Sequence, residues 1–279
     1  MAEFYRRKYA ISPHSTEMGT PEIAPVLNRA MAFERFELWF GPHPETQLGL
    51  LQVLVEMAMS HPSLLARATL VSPAEDLGMA RMEWTRAQTF PATQMDDPLV
   101  ADARRAWSAW CSPTPEAWCA LLDAPVALPL FAAVIPRLLR ELPDSATGLS
   151  FSESRLLRIV ANGARMPLDV FDSPDLLIGD PSYDYFTLGQ MLLDMFHGPA
   201  PLLSGTTETT FDLALHEDIT RHSAFVGSEI EITALGQDIL NSQMDYLAIA
   251  PIDRWWGGTH LRPGNLWRWN SATNKLVPP

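Results

Sequence analysis

"RFELWFGPHPETQLGLLQVLVEMAMSHPSLLARATLVSP" runs from Arg35 to Pro73. Its opening, Arg35 to Gly41, alternates and then ends in a continuous apolar triplet stopped by glycine, which predicts a buried strand. From Gln47 to Met59 apolar residues fall on nearly every side, which predicts a helix packed in an interior. "ARATLVSP", Ala66 to Pro73, predicts a second strand. Strand, helix, strand is the rhythm of a parallel βαβ unit, so this part of the chain is Rossmann-like. A complete doubly wound domain needs more strands than this, and the α/β part is therefore small or incomplete.

Upstream, residues 1 to 34 form an irregular, proline-bearing lead in which "TPEIAPVLNRAMAFE" predicts a short helix. Downstream, Asp97 to Leu142 has helical spacing throughout. Within it "TPEAWCALLDA" has Thr114 as its cap, Pro115 at the first helical position and Glu116 in the first turn. "PDSATG", Pro143 to Gly148, is the best linker. "SFSESRLLRIVANG" then starts with a Ser cap at Ser150 and an acid at Glu153, the spacing of a capping box, and ends at Gly163. "SYDYFTLGQMLLDMFHG", Ser182 to Gly198, is a second helix, and "GSEIEITALGQDILNSQMDYLAIA" reads as a strand running into a helix capped by Thr233. Helix, helix, strand and closing helix is a winged-helix order.

The expected fold class is therefore mixed α+β. Residues 1–95 form a reduced, parallel α/β domain, 96–145 a helical segment, and 146–279 a winged-helix-like domain with a Trp-rich C-terminal strap. No internal repeat is visible.

Composition bounds the function. The 279 residues are 47% hydrophobic and 19% charged, within the range of folded globular proteins. The N-terminal "MAEFYRRKYAISPHS" has no apolar run like that of a secretory signal, and "APVALPLFAAVIP" is too short and proline-rich to span a bilayer. The expectation is a cytoplasmic protein without membrane partners. Cys111 and Cys119 lack zinc-ligand spacing and read as reduced, half-buried thiols. The net charge is −13, and residues 150–250 hold fifteen acids against four Lys or Arg. Such a surface repels phosphate backbones and suits a cationic partner, although solubility alone accounts for it too. The second helix of the winged unit carries Asp184 and Asp194 and neither Lys nor Arg, which disfavours a DNA-binding regulator.

Motifs for chemistry are sparse. No glycine-rich phosphate loop and no nucleophile elbow occur. "HEDITRH", His216 to His222, has its histidines six apart instead of four, so it reads as a polar loop and not a zinc helix. Neither metal nor cofactor is expected. The loop "GPHPETQ", Gly41 to Gln47, follows the first strand and so lies at the carboxyl end where open α/β sheets bind ligands. His43, Glu45, Thr46 and Gln47 are candidates there, against the plainer reading of an ordinary strand-to-helix turn.

"PIDRWWGGTHLRPGNLWRW", Pro251 to Trp269, concentrates four of the nine tryptophans. Asp253 and Arg254 are adjacent, so each seeks a partner elsewhere. Trp255 and Trp256 fall on opposite faces of an extended segment or pack together in a tight turn. Gly257 and Gly258 permit a bend or a close approach. Trp267 and Trp269 flank Arg268 and share one face of a strand. The structural reading is a strap whose tryptophans fill a groove between domains. The functional reading is an aromatic and arginine pocket that includes Asp253, Arg254 and His260.

These residues carry a resemblance. "IDRWWGGTHL" followed by "LWRWN" resembles the C-terminal signature, D-R-W-L-G-G-V-H-L and then W-R-W, of an uncharacterised bacterial group, domain of unknown function eighteen thirty-five. "LWFGPHPETQLGLLQVL" and "GLSFSESRLLRIVANG" are similar to its strand-loop-helix and its later helix start, so the resemblance covers most of the chain. It implies a cytoplasmic, two-part protein, an α/β half and a helical or winged-helix half, and no established activity. Members of the group carry further strands, with a Gly-Asp turn near the first, ahead of this stretch. The resemblance thus implies either a misassigned start or a genuinely reduced α/β half. The group's loop reads E-H-D and then D-Q where this chain has Gly41, Pro42 and His43, then Thr46 and Gln47; only Gln47 and Leu48 match. Any chemistry resting on that loop is then lost here.

The first functional expectation is a non-catalytic binding or interaction module for a small molecule or protein partner, contacting Arg254, Trp255, Trp256 and His260. The alternative is a small-molecule enzyme with His43 or His260 as general base, Glu45 or Asp253 as orienting carboxylate and Arg254 as anion clamp. An incomplete sheet has an unpaired edge, and a homodimer is one way to cover it.

Overall fold

The computed structural model describes residues 23–74, 89–124, 126–177 and 183–279. Residues 1–22 of the irregular lead expected over residues 1–34, and the Ser182 start of the helix expected over Ser182 to Gly198, lie outside them. The fold is mixed α+β, and the chain divides into two compact units. Of the described residues, the first comprises those up to Leu138 together with Gly257–Thr259, and the second those of Leu139–Trp256 with His260–Pro279.

The first unit runs α1 (Ile23–Ala30), β1 (Phe36–Trp39), α2 (Pro44–Ser60), α3 (Pro62–Leu65), β2 (Ala68–Val71), β3 (Ala92–Gln94), α4 (Asp97–Trp110), α5 (Glu116–Cys119) and α6 (Val134–Leu139). β1 and β2 are parallel, in register from Phe36 opposite Ala68 to Trp39 opposite Val71, so the expected βαβ unit is present. A third strand, unforeseen in the sequence, pairs antiparallel with β2, Thr69 opposite Gln94. The order β1-β2-β3 makes β2 the central strand. This corrects the expectation of a buried strand at Arg35–Gly41: among the described residues β1 is an edge strand, and Trp39 stays 41% exposed with its indole N–H donating to Glu37 at 2.8 Å.

Helix α2 buries Leu48, Leu50, Leu51, Leu54 and Met57 and packs chiefly on α4, which buries Leu99, Ala103, Ala106, Trp107 and Trp110. α4 starts where the Asp96 carboxylate accepts the Leu99 N–H at 2.9 Å, with Pro98 in its first turn, where a missing N–H is harmless. Trp110, Trp118 and Phe131 meet edge to face at 5.0 and 5.7 Å, and the Trp118 indole N–H donates to the Ile135 carbonyl. "TPEAWCALLDA" departs from expectation. α5 is a single turn followed by a 3-10 turn over Ala120–Asp123, and Pro115 takes the cap position. Thr114 Oγ1 donates to the Glu116 carboxylate at 3.0 Å instead of capping the backbone.

Gly257 and Gly258 belong to this unit because of close approach. The Gly258 N–H donates to the Trp110 carbonyl at 2.7 Å, and a Cβ on either glycine would collide with the backbone of Trp110 or Cys111. Gly257 also has φ +53°, a conformation that favours glycine.

The second unit runs α7 (Phe151–Ala161), α8 (Pro167–Phe171), α9 (Pro174–Leu177), α10 (Tyr185–His197), β4 (Leu203–Ser204), α11 (Leu213–Glu217), α12 (Ile219–Val226), β5 (Glu231–Ile232), α13 (Ala234–Leu240), α14 (Tyr246–Ile249), and strands β6 (Arg254–Trp256), β7 (Thr259–Leu261), β8 (Arg268–Asn270) and β9 (Lys275–Val277). The capping box of α7 is as expected: Ser150 Oγ accepts the Glu153 N–H at 3.2 Å and Glu153 Oε2 accepts the Ser150 N–H at 2.6 Å. α10 starts on Asp184, which accepts the Thr187 N–H. β4 and β5 pair antiparallel, and α13 starts where Thr233 Oγ1 accepts the Gly236 N–H at 3.0 Å.

Two expectations are corrected here. "HEDITRH" is not a loop; it spans the end of α11 and the start of α12. Asp212 caps α11 by accepting the Leu215 N–H, and Asp218 caps α12 by accepting from Thr220 and Arg221. "PDSATG" is a pinned turn and not a linker. Asp144 Oδ1 accepts from the Ala146 and Thr147 N–H groups, the Ser145 N–H donates to Trp269 O, and the Trp269 N–H donates to Pro143 O, each of the last two at 2.9 Å. The boundary between units falls upstream, at Leu138 and Leu139.

Candidate functional site

Strands β6 and β7 form a two-stranded sheet, and the alternation of β6 sorts the side chains of the strap. Trp255 is 43% exposed, whereas Trp256 is 5% exposed, so the pair occupies opposite faces of an extended strand. On the exposed side the rings of Trp255 and His260 stack at 4.4 Å with an interplanar angle of 9°. Nε2 of His260 is hydrogen bonded to Oδ1 of Asp253, whose side chain is itself largely exposed. The His260 carbonyl accepts the Asn265 amide at 2.7 Å, which fixes the start of the next turn. Asp253, Trp255 and His260 thus form one cluster in which the imidazole lies between a carboxylate and an indole.

Arg254 points the other way. Its Nη1 donates to Glu153 Oε1 at 2.7 Å. Burial alone would raise the Glu153 carboxyl, but the Arg254 guanidinium beside it, with the Ser150 N–H, holds it below the ordinary carboxylate range. On Arg254 the effects run in reverse: burial opposes its charge, and Glu153 more than compensates. Arg254 is therefore an ion-paired residue that ties the hairpin to the capping box of α7. The same Glu153 carboxylate serves the cap through one oxygen and the guanidinium through the other.

Trp267 and Trp269 are 7% and 2% exposed, one just before β8 and one within it. Their indole N–H groups have no acceptor among the described residues, so packing holds them in place. Arg268 between them donates from Nη2 to the Asp245 carboxylate at 2.7 Å.

The strand-to-helix loop gathers the other candidates. His43 occupies the N-cap position of α2 without a side-chain cap bond, and Glu45 lies in the first turn. Gln47 is fully buried; its amide donates to the Gly41 carbonyl at 2.6 Å, while its Oε1 has no partner among the described residues. Arg137 donates to the Pro42 carbonyl at 3.1 Å. Gln47 and Arg137 thereby clamp the backbone of residues 41 and 42.

His216 and His222 come together although the sequence separates them by six residues. The junction of α11 and α12 brings their rings to 4.6 Å, nearly perpendicular, beside Tyr185 and Phe186. Burial, and then the neighbouring His216, lower the His222 imidazole below its ordinary value. Among the described residues no group of three or more His, Cys, Asp or Glu is arranged to hold a metal ion. Cys111 and Cys119 are half-buried thiols that form no disulfide among the described residues. No described helix is long and apolar enough to cross a membrane.

No protein-family model matches the chain, and neither does any curated protein. The site therefore stands on its own geometry. Two partners in it went unread in the sequence: Glu153 for Arg254 and Asp245 for Arg268. Only the unpaired look of an adjacent Asp-Arg signalled that a distant acid was required.

Proposed function

We propose that the chain is a non-catalytic binding module that engages a cationic group of a protein partner through the exposed face of the β6–β7 hairpin. The observation that carries this reading is the Trp255–His260 stack beside the Asp253 carboxylate. Tryptophan is the strongest aromatic platform for a cation, and an adjacent carboxylate adds direct charge complementarity. The overall charge of −13 draws a basic partner toward the surface. Trp256, Trp267 and Trp269 are buried and Arg254 is ion-paired, which leaves Asp253, Trp255 and His260 to make contact.

The test is titration of the full chain with a short lysine-rich peptide at low salt. Saturable binding that weakens about tenfold in Trp255→Ala supports the reading. Binding unchanged in that variant overturns it.

A second reading, a small-molecule enzyme, rests on the hydrogen bond between His260 and Asp253, the arrangement of an imidazole base and its orienting carboxylate. Turnover of any substrate that is abolished by His260→Ala, with the fold intact, would favour it over the first.

A further inference from the structure

Helix α7 presents a concave face apart from its capping box. Phe151, Ser154, Arg155, Arg158 and Ile159 follow the helical period and line a concavity of about 600 Å³, completed by Pro174 and Asp175 at the start of α9. That volume lies within the range of roughly 300–1,000 Å³ usual for small-molecule sites. Its charge sets it apart from its surroundings. Residues 150–250 contain only four Lys or Arg, and two of them, Arg155 and Arg158, line this one concavity. A third guanidinium, that of Arg140, lies 3.4 Å from the centroid of the Phe151 ring. The acidic residue of the same helix, Glu153, is neutralised by Arg254 and is not part of the lining. Ile159 is buried and supplies apolar surface, and Asp175 is the one carboxylate among the described lining residues.

The exposed Arg158 guanidinium, the Asp175 carboxylate and a strip of apolar surface suit a small molecule that itself carries both charges. We propose that this concavity binds a free α-amino acid with an apolar side chain. Its carboxylate pairs with Arg158, its ammonium with Asp175, and its side chain lies against Phe151, Ile159 and Pro174. Guanidinium groups favour carboxylates through paired hydrogen bonds. Asp175 selects against a dianion such as a phosphate monoester, because like charges in one site repel, and it favours the ammonium group. This site shares no residue with the Trp255 face, so either reading can fail without the other.

Isothermal titration of the full chain with L-phenylalanine and with L-leucine tests the proposal. The expected result is saturable, one-to-one binding of at least one of them that weakens about tenfold or more in Arg158→Gln. Arg158 is exposed on the helix surface, so this variant retains the fold, as circular dichroism would verify. Phenethylamine, which lacks the carboxylate, should bind far more weakly than L-phenylalanine. Asp175→Asn should erase the preference for L-phenylalanine over 3-phenylpropionate, which lacks the ammonium. Absence of saturable binding for both amino acids, or equal binding by Arg158→Gln and the parent chain, overturns the proposal.

Discussion

Arg254 and Glu153, 101 residues apart in the chain, meet through a 2.7 Å ion pair that fastens the C-terminal hairpin to the first turn of α7. Removal of the guanidinium leaves a largely buried carboxylate without its partner. Arg254→Ala should therefore destabilise the protein by about 2–4 kcal/mol, read as a lower urea midpoint. Glu153→Gln keeps an acceptor for the Ser150 N–H and should lose less. Equal and negligible losses in both variants would show that the pair contributes nothing.

The same pair makes stability depend on pH. The Glu153 carboxyl is held below its ordinary value, and so is that of Asp144: burial opposes the ionised form there, but hydrogen bonds from Ser271, Ala146 and Thr147 outweigh it. In the unfolded chain both carboxyls bind protons more readily. Their contribution is thus complete above the unfolded values, about 3.9 for Asp and 4.3 for Glu, and is lost as pH falls through the lower folded values. Urea midpoints should decline from about pH 4 downward, and Glu153→Gln should flatten part of that decline.

The histidine pair acts in a higher window. His222 is lowered by burial and by His216, so the folded state binds a proton less readily than the unfolded one. Its contribution is present above about pH 6.5, the ordinary histidine value, and is lost as pH falls below it. Hydrogen-exchange protection factors over residues 213–226, taken against the intrinsic rate at each pH, should fall as pH is lowered from about 7.5 to 5.5. His222→Gln should remove most of that difference.

The strap tryptophans should separate sharply by burial. Trp256→Ala and Trp269→Ala each empty a large buried volume and should cost about 3–5 kcal/mol. Trp255→Ala removes a half-exposed ring and should cost about 1 kcal/mol or less. Thermal unfolding of the three variants provides the comparison. A Trp255 variant as unstable as the other two would mean that its ring supports the fold instead of presenting a surface.

Local rules made much of this fold legible. The α7 capping box needs only Ser150 and Glu153, three residues apart, and the βαβ unit declares itself in the contrast between Phe36–Trp39, Gln47–Met59 and Ala68–Val71. The opposed faces of Trp255 and Trp256 follow from strand period alone. What escaped was set by shorter or longer range. α11 and α12 have five and eight residues, too few for periodicity to stand out, and they exist because Asp212 and Asp218 cap them. The exposure of Trp39 depends on β1 being at an edge, which follows from where β3 pairs. Arg254 required an acid, but nothing near it in sequence identified Glu153, already assigned to a cap.

The proposal that Trp255 presents a cation-binding face is tested most directly by the indole N–H signals in a ¹⁵N-resolved spectrum of the full chain during titration with the lysine-rich peptide. The Trp255 indole, assigned by its loss in Trp255→Ala, should shift progressively to saturation while the buried Trp256, Trp267 and Trp269 indoles hold still. A Trp255 signal that stays fixed while the peptide binds, or moves only together with the buried indoles, would contradict it.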